Sequence, residues 1–360
     1  MITLFLLACA WICTAKGTKL SAPMTYVFVV FVILTAIFRI NSLYLLPIAA
    51  IYAAAAVYAV FLPWPEIDAS KPRKAIKRWW KHPRELFGFR IMNAFVYCTP
   101  LPVLSWFGGN ALEIVGPLVK RRQKIMRQNL EMITPDCAND AFMRRVWHNW
   151  GRAFVEGLKL DTYKKKMDKY ITFRNKNMLY QYPQCLLAMP HFGYMGLMSL
   201  AFINSGLTIA VTYRRARNPL TNNILLKHYG CYSVKETHFI PVGNAMPMVR
   251  ALRDGEILNI NSDQRIHDAP LIDFMGEPAK TSTGLAHLAI KFNLPILIAH
   301  VERTHGAHHA IVFDEFVNVP HTDNADADEI NGMKLVNEAM ARVIRKKPDE
   351  YLWMHRRWKK

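Results

Sequence analysis

The sequence has no cysteine pair at C-x-x-C spacing, no G-x-G-x-x-G or G-x-x-x-x-G-K-[ST] loop, no internal repeat and no low-complexity tract. Each absence closes a class. The six cysteines, Cys9, Cys13, Cys98, Cys137, Cys185 and Cys231, read as free thiols. Without a glycine-rich phosphate loop there is no nucleotide-binding fingerprint, and no cofactor is expected. His305, His308 and His309 fall in an HGAHH run, but no cysteine or carboxylate stands at ligand spacing with them. A hairpin turn is expected there, and no metal site. Acidic residues are scarce, 27 against 46 lysines and arginines, which leaves a net charge of +19, and none occurs from position 174 to 235. An anionic partner is implied: a nucleic acid, an anionic membrane face or an acidic carrier protein.

Hydropathy chooses among these. Residues 2–15, 24–38 and 43–64 are apolar runs separated only by KGTKLSAP and RINS. The third reaches the ~20 residues of a spanning helix, the second can span with little tilt, and the first is short enough to be re-entrant or interfacial. A signal peptide competes for residues 1–15, but no positive n-region precedes the run and no small-residue cleavage site follows it. The segment KPRKAIKRWWKHPR, residues 71–84, is dense in lysine and arginine beside two tryptophans. By the positive-inside rule it places the rest of the chain in the cytoplasm. Basic residues beside membrane segments, without a recognition motif, argue against a nucleic-acid partner. The expected organisation is two to three membrane helices over residues 1–66, a basic juxtamembrane and helical subdomain over 67–170, and an α/β domain over 171–360.

Within 85–165 long apolar stretches at helical spacing predict helices lying on the membrane, with core packing as the other reading of their aromatic residues. From residue 184 short apolar runs alternate with helical segments. Strands are expected at CLLAMP, LTIAVTY, HFIPV, EILNINSD, LPILIAHVE and HAIVFDEF. Helices are expected at GYMGLMSLAFINSG, NPLTNNILLKHYG, NAMPMVRALRDG, KTSTGLAHLAIKFN and over DEINGMKLVNEAMARVIRKKP, before a basic, aromatic tail. Such alternation builds a sheet with helices on both faces.

Catalytic groups in open α/β sheets collect beyond the C-terminal strand ends. His191 directly follows CLLAMP, with Gly193 turning the chain onward. Arg214, Arg215 and Arg217 follow LTIAVTY and open on the same edge, where arginine forks suit a phosphate; a solvated basic turn is the alternative. Asp263 and Gln264 follow EILNINS, where Asp263 could equally be a turn or capping residue.

The stretches RQNLEMITPD, WHNWGRAFVEGL, LLAMPHFGYMGL, TYRRARNPL, NSDQ with FMGEPAKTSTGLAHLA, LPILIAHVER and YLWMHRRWK occur in order. Together they make the chain resemble the late lipid A acyltransferases, the lauroyl and myristoyl transferases of the lysophospholipid acyltransferase superfamily, over about residues 75–358. The resemblance implies a mixed sheet flanked by helices, of the glycerolipid acyltransferase type. It also implies acyl transfer from an acyl carrier protein or acyl-CoA to a hydroxyl of a lipid A precursor or related anionic glycolipid at the bacterial inner membrane. His191 falls on the family's general base. The family's acid, five positions on, is Gly196 here, so Asp263 or Glu156 is left to replace it, or the chain is an impaired pseudoenzyme that binds lipid or carrier protein. The resemblance further places Arg214, Gln264 and Glu156 at the substrate, and Thr281 and Thr283 at the loop and helix start closing an acyl pocket.

Overall fold

The computed structural model describes Val96, residues 99–216, Asn222, residues 235–243 and residues 245–358. The three apolar runs, the basic segment 71–84, Arg217 and all but Asn222 of the helix expected over 218–230 lie outside the described residues. The described residues belong to a unit running from Trp80 to Lys360.

Three helices lead the described part: α1 (Leu101–Val115), α2 (Lys120–Ile133) and α3 (Asp140–Glu156). Proline in the first turn of α1 removes a backbone donor that has no helical partner there. The Asn139 side chain caps α3 by accepting the Phe142 N–H. Gly108 of α1 and Gly151 of α3 meet backbone to backbone. A Cβ on Gly108 would lie 2.7 Å from the Gly151 carbonyl, so the close approach depends on both glycines. Two short helices, α4 (Leu160–Lys165) and α5 (Met167–Tyr170), feed an edge strand, β1 (Ile171–Arg174).

The rest is α/β. Strands β2 (Leu186–Ala188), β3 (Ile209–Tyr213), β4 (Thr237–Pro241), β5 (Ile257–Asn259), β8 (Ile296–His305) and β9 (His308–Val317) join β1 in one sheet, in the order β1-β9-β8-β2-β5-β3-β4. The sheet is mixed: β8 and β9 form an antiparallel hairpin, while β8, β2, β5, β3 and β4 run parallel. Gly306 turns this hairpin at a positive φ of 48°, as the HGAHH run suggested. A separate hairpin, β6 (Leu271–Phe274) with β7 (Glu277–Lys280), precedes α7 (Gly284–Phe292); α6 (Met246–Arg253) precedes β5, and α8 (Ala325–Lys346) follows the sheet. Alternation along β2 sends Leu186 and Ala188 into the core beneath α7 and α8, and Leu187 and Met189 into the opposite core beneath α4. A strand buried on both faces reads as the unbroken apolar run seen in the sequence.

Three expectations are corrected. The helix expected after His191 is a 3₁₀ segment, Met195–Phe202, whose last six side chains are all buried. A segment covered on every side has no solvent face to give it the amphipathic α-helical period. Strands β1, β6 and β7 were not foreseen, each being only four residues long. The C-terminal segment, expected only as a basic, aromatic tail, is packed into the fold: Tyr351, Trp353, Met354, Arg357 and Trp358 are buried.

Candidate active site

Neighbouring parallel strands end side by side, and β2 and β5 are such neighbours. The loops leaving them carry His191 and Asp263, which meet although 72 positions apart. Asp263 Oδ1 lies 2.6 Å from His191 Nδ1, and Asp263 Oδ2 accepts the His191 backbone N–H at 2.8 Å. A carboxylate thus stands against His191 although position 196 is glycine. The Asp263 side chain is 1% exposed and that of His191 19%. Burial works to neutralise both groups, but the opposite charge and the hydrogen bonds outweigh it. His191 is therefore held above the usual histidine range and Asp263 below the usual carboxylate range. On the other side of the ring, Gln264 Nε2 lies 2.9 Å from His191 Nε2. With Nδ1–H donated to Asp263, the Nε2 lone pair is free to accept from the amide. Gln264 thus covers the ring nitrogen that Asp263 leaves open.

The C-terminal segment closes around this pair. The Leu352 N–H donates to the His191 carbonyl and the Gly193 N–H to the Glu350 carbonyl, each at 3.1 Å, and Phe192 bridges to Tyr351 in antiparallel fashion. Gly193 adopts φ 54°, and a Cβ there would run into the Val301 carbonyl, so the turn after His191 requires glycine. The Tyr351 hydroxyl is fully buried, and burial and the Asp263 charge drive it well above the usual tyrosine range. Arg357 is buried over the Phe274 ring and donates to the Lys280 carbonyl at 2.5 Å and to Thr281 Oγ1 at 2.6 Å. From the helical side, Asn129 of α2 holds the Trp353 and His355 carbonyls at 2.8 and 2.7 Å.

The remaining candidates fall in different places. Arg214 and Arg215 are exposed just past β3, the strand next to β5, and so share the sheet edge with Asp263. Glu156 is not brought to His191. It is fully buried, pairs with the two terminal nitrogens of Arg303 at 2.6 and 2.9 Å, lies 3.0 Å from His309 Nε2 and accepts from Ser105 at 2.5 Å. Burial would raise its pKa, but Arg303 and His309 hold it far below the usual carboxylate range. Thr281 is likewise buried and turned inward, spending its hydroxyl on the Ala279 carbonyl and on Arg357. Thr283 is half-buried directly before α7, without a side-chain capping bond.

Residues 73–360 match the model of the family described as bacterial lipid A biosynthesis acyltransferase. The chain belongs to that family. Among curated relatives it is 24% identical over 306 residues to the lipid A biosynthesis palmitoleoyltransferase of Escherichia coli (strain K12), covering 80% of this chain and 96% of that protein. It matches the lipid A biosynthesis acyltransferase of Shigella flexneri to the same extent.

In this member of the acyltransferase family, Gly196 lies against Tyr194, where a Cβ would come within 2.6 Å of the ring. Tyr351, Leu352, Glu350 and Arg357 are the site residues that sequence reasoning passed over. A signal was present, because YLWMHRRWK is among the matching stretches; lacking strand or helix periodicity, it read only as a tail.

Proposed function

We propose that this acyltransferase-family protein moves a fatty acyl chain from an acyl carrier protein, or from acyl-CoA, to a hydroxyl of a lipid A precursor or related phosphorylated glycolipid. The reaction takes place at the cytoplasmic face of the bacterial inner membrane, with the N-terminal apolar runs as anchor. The two-point hold of Asp263 on His191 carries the reading. A hydroxyl is a poor nucleophile until its proton is removed. His191 Nε2 takes that proton as the hydroxyl oxygen bonds to the thioester carbonyl carbon, Gln264 giving way to the incoming group. The tetrahedral intermediate then collapses with cleavage of the C–S bond, and the imidazolium returns the proton to the leaving thiolate. Asp263 fixes the tautomer with Nδ1 protonated and stabilises the imidazolium. Arg214, and Arg215 beside it, suit a phosphate of the acceptor or of the phosphopantetheine arm. The net charge of +19 suits an acidic carrier and an anionic lipid alike.

The test is an acyl-transfer assay with the purified full chain in detergent, labelled acyl carrier protein and a lipid A precursor, followed by mass analysis of the lipid. The parent should add one acyl chain and His191→Ala should add none. A parent that binds the precursor but never acylates it replaces this reading with the pseudoenzyme one.

A further inference from the structure

Both ring nitrogens of His191 are taken, and by consecutive residues. Asp263 Oδ1 stands 2.6 Å from Nδ1, and Gln264 Nε2 stands 2.9 Å from Nε2. The two differ in how firmly they are held. Asp263 is buried, and its second oxygen accepts the His191 backbone N–H. Gln264 is half-buried on the irregular stretch after β5, and among the described residues its side chain makes no hydrogen bond but the one to the imidazole. The amide is thus fixed at its root and loose at its tip.

A cover of this kind bears on the reaction that competes with acyl transfer. A base that activates an alcohol also activates water. The water oxygen bonds to the thioester carbonyl carbon, the C–S bond breaks, and the water proton passes through Nε2 to the leaving thiolate, giving a free fatty acid and a thiol. We infer that Gln264 sets the preference for an acceptor hydroxyl over water, by keeping its amide N–H on the lone pair of His191 Nε2 until a bound acceptor displaces it. The inference deepens the proposed acyl transfer and rests on it.

A lone pair engaged by an N–H does not take a proton. The amide belongs to the residue next to Asp263, which is itself pinned to the His191 backbone, so it returns to Nε2 as an intramolecular group while water competes as a free molecule. Water that displaced it would exchange one hydrogen bond for another and gain nothing. An acceptor also held elsewhere on the same sheet edge, where Arg214 and Arg215 are exposed, brings further binding energy to the exchange. The residue type fits the task. A carboxylate has no N–H to donate, and asparagine is one methylene too short. Only the imidazole with Nδ1 protonated accepts from the amide at Nε2, so the cover also holds the base in its working tautomer.

The test uses the purified full chain in detergent micelles with labelled acyl carrier protein, with and without a lipid A precursor, and measures free fatty acid beside acylated lipid. Without the precursor, Gln264→Ala and Gln264→Asn should release fatty acid severalfold faster than the parent. With it, a larger share of the acyl chains should go to water. Diethyl pyrocarbonate, which modifies an unprotonated imidazole nitrogen, should label His191 severalfold faster in both variants at a pH above the histidine range, read by mass analysis of the His191 peptide. Parental rates of hydrolysis or of labelling in both variants would overturn the inference. So would an equal loss of hydrolysis and transfer, which would make Gln264 serve both nucleophiles alike. If no preparation, parent included, transfers an acyl chain, the proposed reaction fails and this inference with it; parental transfer with hydrolysis unmoved by the variants sinks this inference alone.

Discussion

Asp263 holds His191 by ring and by backbone at once, one carboxylate oxygen 2.6 Å from Nδ1 and the other accepting the His191 N–H at 2.8 Å. A carboxylate used twice by one residue fixes both where the imidazole sits and which nitrogen faces the substrate. Asp263→Asn can keep an acceptor for the backbone but carries no charge to stabilise the imidazolium. We expect kcat to fall by about 10³- to 10⁴-fold with little change in KM, by analogy with the neutralised aspartate of the serine-protease triad. Circular dichroism should be unchanged. A variant with more than a tenth of parental kcat would remove Asp263 from the mechanism.

With His191 as the proposed base, its raised pKa should set the acid limb of activity. Burial lowers it, the Asp263 charge and hydrogen bond raise it by more, and the base works only when Nε2 is unprotonated. The acid limb of kcat/KM should therefore lie above the ordinary histidine value. Tyr351 shares the same carboxylate, and its own hydroxyl is driven well above the usual tyrosine range by burial and by Asp263. Tyr351→Phe removes the hydroxyl that is coupled to Asp263 and leaves more negative charge facing the ring. The limb should move further up, with KM little altered. An unmoved limb would reduce Tyr351 to packing.

Much of this site is legible in the sequence, and the illegible part has a physical cause. His191, Arg214 and Asp263 stand at strand ends because β2, β3 and β5 are buried on both faces or nearly so, and short apolar runs of that kind stand out. That β2 and β5 are neighbours does not stand out. β5 enters the sheet between β2 and β3 after two intervening strands in the chain, and only this crossover brings Asp263 rather than Glu156 to His191. Glu156 carried a family resemblance but no hint of Arg303, 147 positions away, which takes both its oxygens. The C-terminal segment was opaque for another reason. It is fixed by isolated hydrogen bonds to Asn129, Lys280 and His191, and scattered pairings of that kind leave no period in the sequence.

Glu350 links stability to pH. Burial pushes its carboxyl up to about 7, against the opposing pull of the Arg303 N–H and of the charges on Arg303 and Lys347. Its folded pKa therefore exceeds the ordinary 4.5, and between those values the folded state holds a proton that the unfolded chain has lost. Stability contributed by this group is present below about 4.5 and lost as pH rises to about 7. The melting temperature should fall across that window, and Glu350→Gln, which mimics the protonated form, should flatten it. His191, also raised, adds a loss of the same sign at higher pH, so a residual slope above the histidine range is expected. An unchanged slope in Glu350→Gln would assign the effect elsewhere.

Gly196 stands where the family places its acid, and restoring a carboxylate there looks like a gain. The structure predicts a loss. A Cβ at position 196 would lie 2.6 Å from Tyr194 Cε2 and 2.9 Å from its hydroxyl, distances that side chains do not tolerate without movement. Tyr194 has little room to give: it is buried beside Tyr163 with its hydroxyl on the Gly157 carbonyl. Overpacking of this kind costs about 1–3 kcal/mol, so Gly196→Ala should lower the melting temperature by several degrees. Gly196→Glu adds a carboxylate among buried apolar neighbours and should lose more. Neither has a charge to restore, because Asp263 already occupies Nδ1 of His191. Thermal unfolding beside the acyl-transfer assay checks both variants, and the loss of activity should track the loss of folded protein. A folded Gly196→Glu protein with faster turnover than the parent would show that Asp263 leaves the dyad incomplete.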